Sequence, residues 1–328
     1  MLRRCPAVLL VVLLAACASG ADTQSARLVD PYSARAPSTT SVTAKTTPTT
    51  KATTAASEPE DLEGRVQREE AIEFASGLKL DIHAPLSGGN HPVAVLVHGG
   101  GWVTGHRYTM SRLADALAAR GVVAYNVDYR LIGQGGGYPT TFEDLACAVR
   151  FARSDSARFG GAGGRVAVVG HSAGGHLAAV IGLSGDGYRG DCVEDDGSAL
   201  PDAMVGLAGP YDPSRFLVPL SSFFGGPPET APEAWSAGNP FQLLGANPSL
   251  VVRLAWGDQD TIVPEYYGTS FQEALAAAGY DATFTVVPGA DHGAIRSPRT
   301  EGAPVVDLVI EALTTAGQTP VIPTTTSG

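Results

Sequence analysis

The sequence predicts an α/β fold: a mostly parallel central sheet with helices on both faces and a small cap insertion. Two strand-like segments come first, and units of one strand and one helix then repeat along the chain. The strand-like runs in these units are short, apolar and rich in β-branched residues, which is typical of strands buried on both faces. About 250 residues carry this alternation, enough for one domain with a substantial core.

The individual elements follow from local signals. The first two strands are expected to form a hairpin that turns at Ser76-Gly77, and Gly121 ends the first helix as a C-cap glycine. The predicted strands are 66–74, 78–83, 93–97, 122–127, 165–169, 203–207, 250–256 and 282–287. The predicted helices are 112–120, 141–158, 173–183, 264–278 and 304–315.

Charge and residue types exclude several classes of function. The chain of 328 residues has 22 basic and 33 acidic side chains, and a net charge of −11 argues against nucleic acid as a partner. The only lysines, Lys45, Lys51 and Lys79, leave almost no candidate for a P-loop or a Schiff base. The four cysteines form neither a CxxC pair nor a zinc spacing. We therefore predict no metal, no cofactor and no protein partner.

The N-terminal segment has the features of an export signal. Arg3 and Arg4 precede an apolar run, Ala7–Ala16, that is too short to span a bilayer. The run leads directly into Cys17, and Leu-Ala-Ala-Cys resembles the lipobox of bacterial lipoprotein signals. We expect a signal peptide over 1–16 and acyl chains on Cys17 that anchor the protein to the outer face of the cytoplasmic membrane or within the cell envelope. The alternatives are an ordinary signal peptide cut near Ala18 and an apolar N-terminus without a targeting role.

Composition also sets the domain boundaries. Residues 17–64 are dominated by Ser, Thr, Pro and Ala, which predicts a disordered tether that holds the rest of the chain off the membrane. Residues 65–316 form the predicted domain, and residues 317–328 a flexible tail.

The strongest motif is a candidate nucleophile. Ligands of parallel sheets bind beyond the carboxyl ends of the strands, so residues that follow strands are the first candidates. Gly170-His171-Ser172-Ala173-Gly174 fits G-x-S-x-G and lies between a predicted strand and a predicted helix. In that context the glycines permit a tight turn that exposes the Ser172 hydroxyl.

A serine nucleophile needs a general base and an acid that orients it. Folds of this type place the acid and then the histidine after the serine, and only His176 and His292 follow Ser172. His176 lies four residues away on the same helix, so His292 is the predicted base. The residues alone do not identify the acid, because three aspartates follow predicted strands: Asp212, Asp258 and Asp260. Asp291 is expected to bond its own turn.

The loop after the third strand is the candidate oxyanion hole. It reads His98-Gly99-Gly100-Gly101-Trp102, and consecutive glycines let backbone amides face a ligand. The expected donors are the amides of Gly100, Gly101 and Ala173. A flexible turn and a phosphate loop are the alternatives, and the phosphate loop is disfavoured because no lysine follows.

Together these residues resemble a known family. The body is similar to α/β-hydrolases of the carboxylesterase type, related to the hormone-sensitive-lipase group and the bacterial feruloyl-esterase-like enzymes. The matching motifs are HGGGW at 98–102, DYRL at 128–131, a proline followed by Glu-Asp at 143–144, GHSAG at 170–174, GDQDTIVP at 257–264 and DH at 291–292. The chain departs from the family at 133–137, where related lipases often carry Ala-Pro-Glu.

The resemblance implies an activity and several residue roles. It implies a cofactor-independent serine esterase that cleaves uncharged small-molecule esters, short-chain or small aromatic, through an acyl-enzyme. It makes Asp260 the acid, gives His98 and His171 roles in shaping loops, and gives Tyr129, Arg130 and Asp144 structural roles. The alternatives are a lipase, a peptidase or an amidase with the same residues, and a catalytically silent binding module.

The sequence does not decide the role of three further features. The insertion 210–248 carries aromatic residues that either line an acyl pocket or fill the core of the cap: Phe216, Phe223, Phe224, Trp235 and Phe241, together with Leu217. Cys147 and Cys192 either form a disulfide, which an oxidising compartment outside the cytoplasm permits, or remain free thiols. The acidic loop with Asp191, Glu194, Asp195 and Asp196 is expected to be solvated and not to bind a cation.

Overall fold

The computed structural model describes residues 64–194, 196–298 and 304–317. The predicted signal peptide, the tether up to residue 63 and the tail from residue 318 lie outside the described residues. No helix in the described ranges is long and apolar enough to cross a membrane.

The strands are β1 (Val66–Ala75), β2 (Leu78–Pro85), β3 (His91–Val97), β4 (Val123–Val127), β5 (Gly161–His171), β6 (Ala203–Leu207), β7 (Val251–Gly257) and β8 (Ala282–Val287). The helices are α1 (Ser111–Ala119), α2 (Thr140–Asp155), α3 (Ala173–Ser184), α4 (Leu217–Phe223), α5 (Pro232–Ala237), α6 (Tyr266–Ala277) and α7 (Val305–Thr315).

The eight strands form one sheet in the order β1-β2-β4-β3-β5-β6-β7-β8. β1, β2 and β4 pair antiparallel, and every pair from β4 to β8 is parallel. Every residue of β3, β4, β6 and β7 is buried, so both faces of the sheet are covered. The predicted fold class is confirmed, and each predicted strand and helix is present with shifts of a few residues at its ends.

The insertion between β6 and β7 contains two short helices, α4 and α5, that the sequence did not predict. Neither segment is long enough to show a helical period clearly. The rings of Phe223, Phe224 and Trp235 are buried and pack in series, at 5.1 Å and 4.7 Å between centroids. Phe223 also contacts Phe142 on α2, at 5.5 Å. These three aromatic residues therefore form the core of the cap.

A disulfide joins Cys147 on α2 to Cys192 in the loop after α3. The two residues are 45 positions apart, so the bond closes a large loop across α2, β5 and α3. It attaches the 185–199 loop to the body of the domain. The sequence had left this pairing open.

Candidate active site

The turn between β5 and α3 holds Ser172 in a strained backbone conformation, with φ 54° and ψ −124°. Glycine is required on both sides of the serine. A β-carbon on Gly170 would overlap the carbonyl oxygen of Gly174, and one on Gly174 would overlap the carbonyl of Val97. The amide of Ser172 donates to the carbonyl of Leu207 at 2.9 Å. The turn therefore presents the Ser172 hydroxyl at the N-terminus of α3.

The structure brings Ser172, His292 and Asp260 into one chain of contacts. His292 Nε2 lies 2.9 Å from Ser172 Oγ, and His292 Nδ1 lies 2.7 Å from Asp260 Oδ2. When Nδ1 donates to the carboxylate, Nε2 carries the lone pair that accepts the hydroxyl proton. This is the geometry that a serine nucleophile, its base and the acid behind the base require.

The Asp260 carboxylate is fixed by its own loop. Its side chain is only 1% exposed, and Oδ1 accepts hydrogen bonds from the amides of Ile262 and Val263 at 2.9 and 3.0 Å. With Oδ1 occupied by these amides, Oδ2 faces His292. The loop after β7 thus sets the direction of the carboxylate.

The other aspartates near the strand ends hold loops. Asp258 Oδ1 accepts the amide of Gly289 at 2.7 Å, which ties the β7 loop to the β8 loop. Asp291 accepts hydrogen bonds from two amides of its own turn, and these bonds lower its pKa. Asp212 accepts bonds from the turn that follows it and pairs with Arg215. The three carboxylates are therefore engaged away from His292.

The glycine loop after β3 passes directly against the nucleophile. A β-carbon on Gly99 would lie 2.9 Å from the β-carbon of Ser172. Gly100 and Gly101 have positive φ angles of 126° and 61°. Within the described part of the chain, the amides of Gly100, Gly101 and Ala173 donate no hydrogen bond to protein. These amides are therefore available as donors to a ligand.

Three other histidines near the site are buried and bonded to backbone carbonyls. His171 Nε2 donates to the carbonyl of His292 at 2.7 Å, and burial, with the charge of His292 as a smaller cause, lowers the pKa of His171 to about 3. His176 Nε2 donates to the carbonyl of Gly238 at 2.8 Å, and burial lowers its pKa to about 4. Burial also lowers the pKa of His98, whose Nδ1 lies 2.7 Å from its neighbour's carbonyl oxygen. All three are neutral at neutral pH and support loops.

Two residues of the DYRL segment fix neighbouring elements: Tyr129 contacts the start of the glycine loop, and Arg130 contacts α2. Tyr129 stacks on His98 with 4.3 Å between ring centroids, and its hydroxyl donates to the carbonyl of His98 at 3.0 Å. Arg130 forms several hydrogen bonds to the buried Asp144, through both its guanidinium and its amide. These contacts agree with the structural roles that the family resemblance implied.

One aromatic residue of the insertion packs outside the cap core, against residues that follow β3 and β7. The Phe216 ring lies 6.2 Å from the ring of Trp102, which follows the glycine loop, and 5.3 Å from the ring of Tyr267 on α6. Phe241 instead contacts Phe271, at 5.3 Å. The sequence offered no signal that separates Phe216 from the other aromatic residues, because the difference lies entirely in their distant partners.

The described residues contain no group of three or more His, Cys, Asp or Glu side chains arranged to hold a metal ion. In the acidic loop, Asp195 lies outside the described residues. Glu194 accepts a hydrogen bond from Ser154 at 3.2 Å.

Comparison with known proteins identifies a matching family and several similar sequences. The family model described as BD-FAE matches residues 80–275, more than half of the chain. Esterase LipC of Mycobacterium tuberculosis is 32% identical over 217 residues, which cover 62% of this chain and 53% of LipC. The chain spans about half the length, or less, of the first curated relatives that it matches.

Solved structures share the fold. A truncated carbohydrate esterase from gut microbiota superposes with a TM-score of 0.66 at 22% identity, over 78% of this chain and 99% of that one. The propionate-bound esterase Est2 of Thermogutta terrifontis gives a TM-score of 0.64 at 22% identity, over 81% of this chain and 98% of that one. The family model and the esterase relatives confirm the resemblance to α/β-hydrolase carboxylesterases, and the solved structures confirm the fold.

Proposed function

The chain belongs to the BD-FAE family, and on that basis we propose that it is a serine carboxylesterase that works through an acyl-enzyme. The observation that carries the proposal is the chain of contacts from Ser172 Oγ through the imidazole of His292 to Asp260, at 2.9 and 2.7 Å. The names of relatives such as LipC, an esterase, support the same reaction class.

In the first step, Ser172 Oγ attacks the ester carbonyl while His292 Nε2 takes the hydroxyl proton. Asp260 orients the ring and stabilises the imidazolium that forms. His292 then gives the proton to the leaving alcohol, and the acyl group remains bonded to Ser172 Oγ. In the second step, His292 takes a proton from water as the water oxygen attacks the acyl carbonyl. The bond between the acyl carbon and Ser172 Oγ then breaks, and His292 returns the proton to Oγ, which releases the acid and restores the hydroxyl.

Both steps place negative charge on the former carbonyl oxygen. The free amides of Gly100, Gly101 and Ala173 would receive this oxyanion, because the loop that carries the glycines passes against Ser172. Donors fixed in position before the reaction lower its barrier, and loss of one donor in such a site costs about 10²–10³-fold in kcat.

We propose that the substrate is an uncharged ester with a short or small aromatic acyl group. Phe216 contacts Trp102 beyond the end of β3 and Tyr267 beyond the end of β7. β5, which leads to Ser172, and β6 lie between β3 and β7 in the sheet. A side chain that reaches both partners therefore lies over the strand ends beside the nucleophile, where it limits the length of the acyl group.

We also propose that the enzyme is exported and held at the membrane by lipid on Cys17. The lipobox-like residues before Cys17 and the Ser/Thr/Pro/Ala-rich stretch after it support this location. The disulfide between Cys147 and Cys192 adds support, because such bonds persist in oxidising compartments outside the cytoplasm. Labelling with a fatty-acid analogue tests it: the wild-type chain should take up label and Cys17→Ala should not. Equal labelling would refute the anchor.

The esterase proposal is tested by the release of nitrophenol from acetyl, butyryl, octanoyl and palmitoyl esters, with Ser172→Ala in parallel. Hydrolysis of the short esters that disappears in the variant is expected. A preference for palmitoyl over acetyl esters would indicate a lipase. Equal rates in the two proteins, or no ester hydrolysis in either, would overturn the proposal.

A further inference from the structure

His171 occupies the variable position before the nucleophile, and its side chain points to a different loop. It is 7% exposed, and its Nε2 lies 2.7 Å from the backbone carbonyl oxygen of His292, 121 residues later in the chain. A carbonyl oxygen accepts only, so Nε2 carries the proton and Nδ1 is unprotonated. The rings of His171 and His292 lie 4.9 Å apart at an angle of 46°.

The loop that carries His292 is tied to neighbouring loops before and after that residue, and after it the Arg296 guanidinium donates to the carbonyl of Thr109. Asp258 accepts the amide of Gly289 at 2.7 Å, and the amide of Gln259 donates to the carbonyl of Ala290 at 3.0 Å. Both bonds hold the loop before it reaches His292. The bond from His171 is made to His292 itself, so it constrains the backbone from which the imidazole extends.

The other edge of His171 faces the glycine loop. A β-carbon on Gly99 would lie 2.9 Å from His171 Nδ1 and 2.9 Å from Ser172 Cβ. His171 therefore lies between the loop that carries the proposed oxyanion donors and the loop that carries the proposed base. One side chain next to the nucleophile thus touches both.

We propose that His171 is a positioning residue: its Nε2–H bond to the His292 carbonyl sets the imidazole at the distance that serves both Ser172 and Asp260. The inference rests on the proposed function, because it assigns His292 as the base. His171 does not touch the reacting atoms. Its effect acts through His292, and a misplacement of about 1 Å in such a group can cost about 10²-fold in rate.

The bond requires a proton on Nε2 of His171, and the protonation state of Nδ1 decides whether the ring is neutral. Burial lowers the pKa of His171 to about 3, with the charge on His292 as a further cause. The ring therefore stays neutral when His292 becomes an imidazolium during turnover. A second cation 4.9 Å away would oppose that imidazolium, and the buried neutral ring avoids this.

The test compares His171→Leu, which removes the donor, with His171→Gln, whose side-chain amide restores one. In the full chain we expect His171→Leu to lower kcat by about 10–100-fold with KM within about twofold, because substrate contacts are unchanged. His171→Gln should recover most of that loss. His91→Leu is the matched control. His91 is also buried, and its ring bonds the Gly121 carbonyl at 3.0 Å, but it is the first residue of β3 and lies at the amino end of the parallel strands, opposite the site.

Thermal unfolding of all three variants distinguishes a loss of activity caused by a misplaced His292 from one caused by a less stable fold. A kcat that is unchanged in His171→Leu, or equally low in the Leu and Gln variants, would overturn the proposal. So would a parallel loss of kcat and stability in His171→Leu and His91→Leu.

The downfield proton resonance of the His292–Asp260 hydrogen bond gives a readout without turnover: it should shift or broaden in His171→Leu and return in His171→Gln. If wild type and Ser172→Ala hydrolyse esters equally, the esterase proposal fails, and the resonance still decides whether His171 positions His292.

Discussion

Asp260 Oδ2 and His292 Nδ1 lie 2.7 Å apart, although the two residues are 32 positions apart in the chain. Their loops meet because β7 and β8 are adjacent parallel strands whose carboxyl ends lie at the same edge of the sheet. The bond from Gly289 to Asp258 crosses the same gap. Two neighbouring aspartates of one loop therefore contact the same opposing loop, and only Asp260 meets the imidazole.

This pair yields a direct test of the acid. Asp260→Asn should lower kcat by about 10³–10⁴-fold with the fold intact, because an amide does not stabilise the imidazolium and favours the wrong tautomer. Asp258→Asn should stay within about tenfold of wild type, because its amide oxygen can still accept the Gly289 amide. Steady-state hydrolysis of a nitrophenyl acetate series measures both. A larger loss at Asp258 than at Asp260 would reverse the assignment.

A single methyl group should disturb the contact between the glycine loop and the nucleophile. Gly99→Ala places a β-carbon 2.9 Å from both Ser172 Cβ and His171 Nδ1, closer than real β-carbons approach other atoms. We expect kcat to fall by at least about 10²-fold, because the oxyanion donors and the serine are pushed apart. Gly89→Ala, where the β-carbon meets open space, is the control. Similar kinetics for the two variants would mean that the loop adapts.

Removal of the Phe216 ring should change substrate selection. Phe216→Ala is expected to raise the ratio of octanoyl to acetyl ester hydrolysis by about tenfold or more, a change of roughly 1–3 kcal/mol that is typical of pocket contacts. Phe241→Ala removes another aromatic ring of the same insertion, but one that packs on Phe271. Its octanoyl-to-acetyl ratio should match that of wild type. An unchanged ratio in Phe216→Ala would remove Phe216 from the acyl pocket.

The disulfide should contribute strongly to stability. It closes a loop of 45 residues, and the entropy that it removes from the unfolded chain corresponds to about 4 kcal/mol. Cys147→Ser and Cys192→Ser should each lower the free energy of unfolding by about 2–4 kcal/mol, measured by denaturant titration. The double variant should lose no more than the worse single variant, because both changes break one bond. Additive losses would mean that the bond is not the source of the effect.

Buried neutral histidines should make the protein sensitive to acid. An unfolded histidine binds a proton below a pH of about 6.5, whereas the buried His176 binds one only near its pKa of about 4. Between these values the unfolded state holds more protons, so stability is present above pH 6.5 and is lost as the pH falls toward 4. His171, with a pKa of about 3, acts in the same direction.

In His176→Gln the free energy of unfolding should therefore depend less on pH over this window, by up to roughly 3 kcal/mol. Denaturant titrations at pH 7 and pH 4.5 measure it. His106→Gln serves as the control, because the His106 side chain is 45% exposed. A variant at His176 with the same pH dependence as wild type would contradict the prediction.

Much of this molecule was predicted from local sequence signals. The apolar runs became buried strands, and the turn at Ser172 needs the glycines that flank it in the motif. Such features depend on backbone sterics and on burial within a few residues, so they can be predicted from a single sequence. The short helices α4 and α5 were missed because six or seven residues carry too little periodicity.

Residue patterns alone were sufficient to predict the fold class, the candidate nucleophile and, because only one histidine was suitably placed, the candidate base. Only the folded chain shows which aspartate contacts His292, that Phe216 contacts Trp102, that Cys147 meets Cys192, and that His171 bonds the His292 carbonyl. The reason is physical. These contacts join residues far apart in the chain, and the order of strands in the sheet brings them together, an order that differs from their order in the sequence.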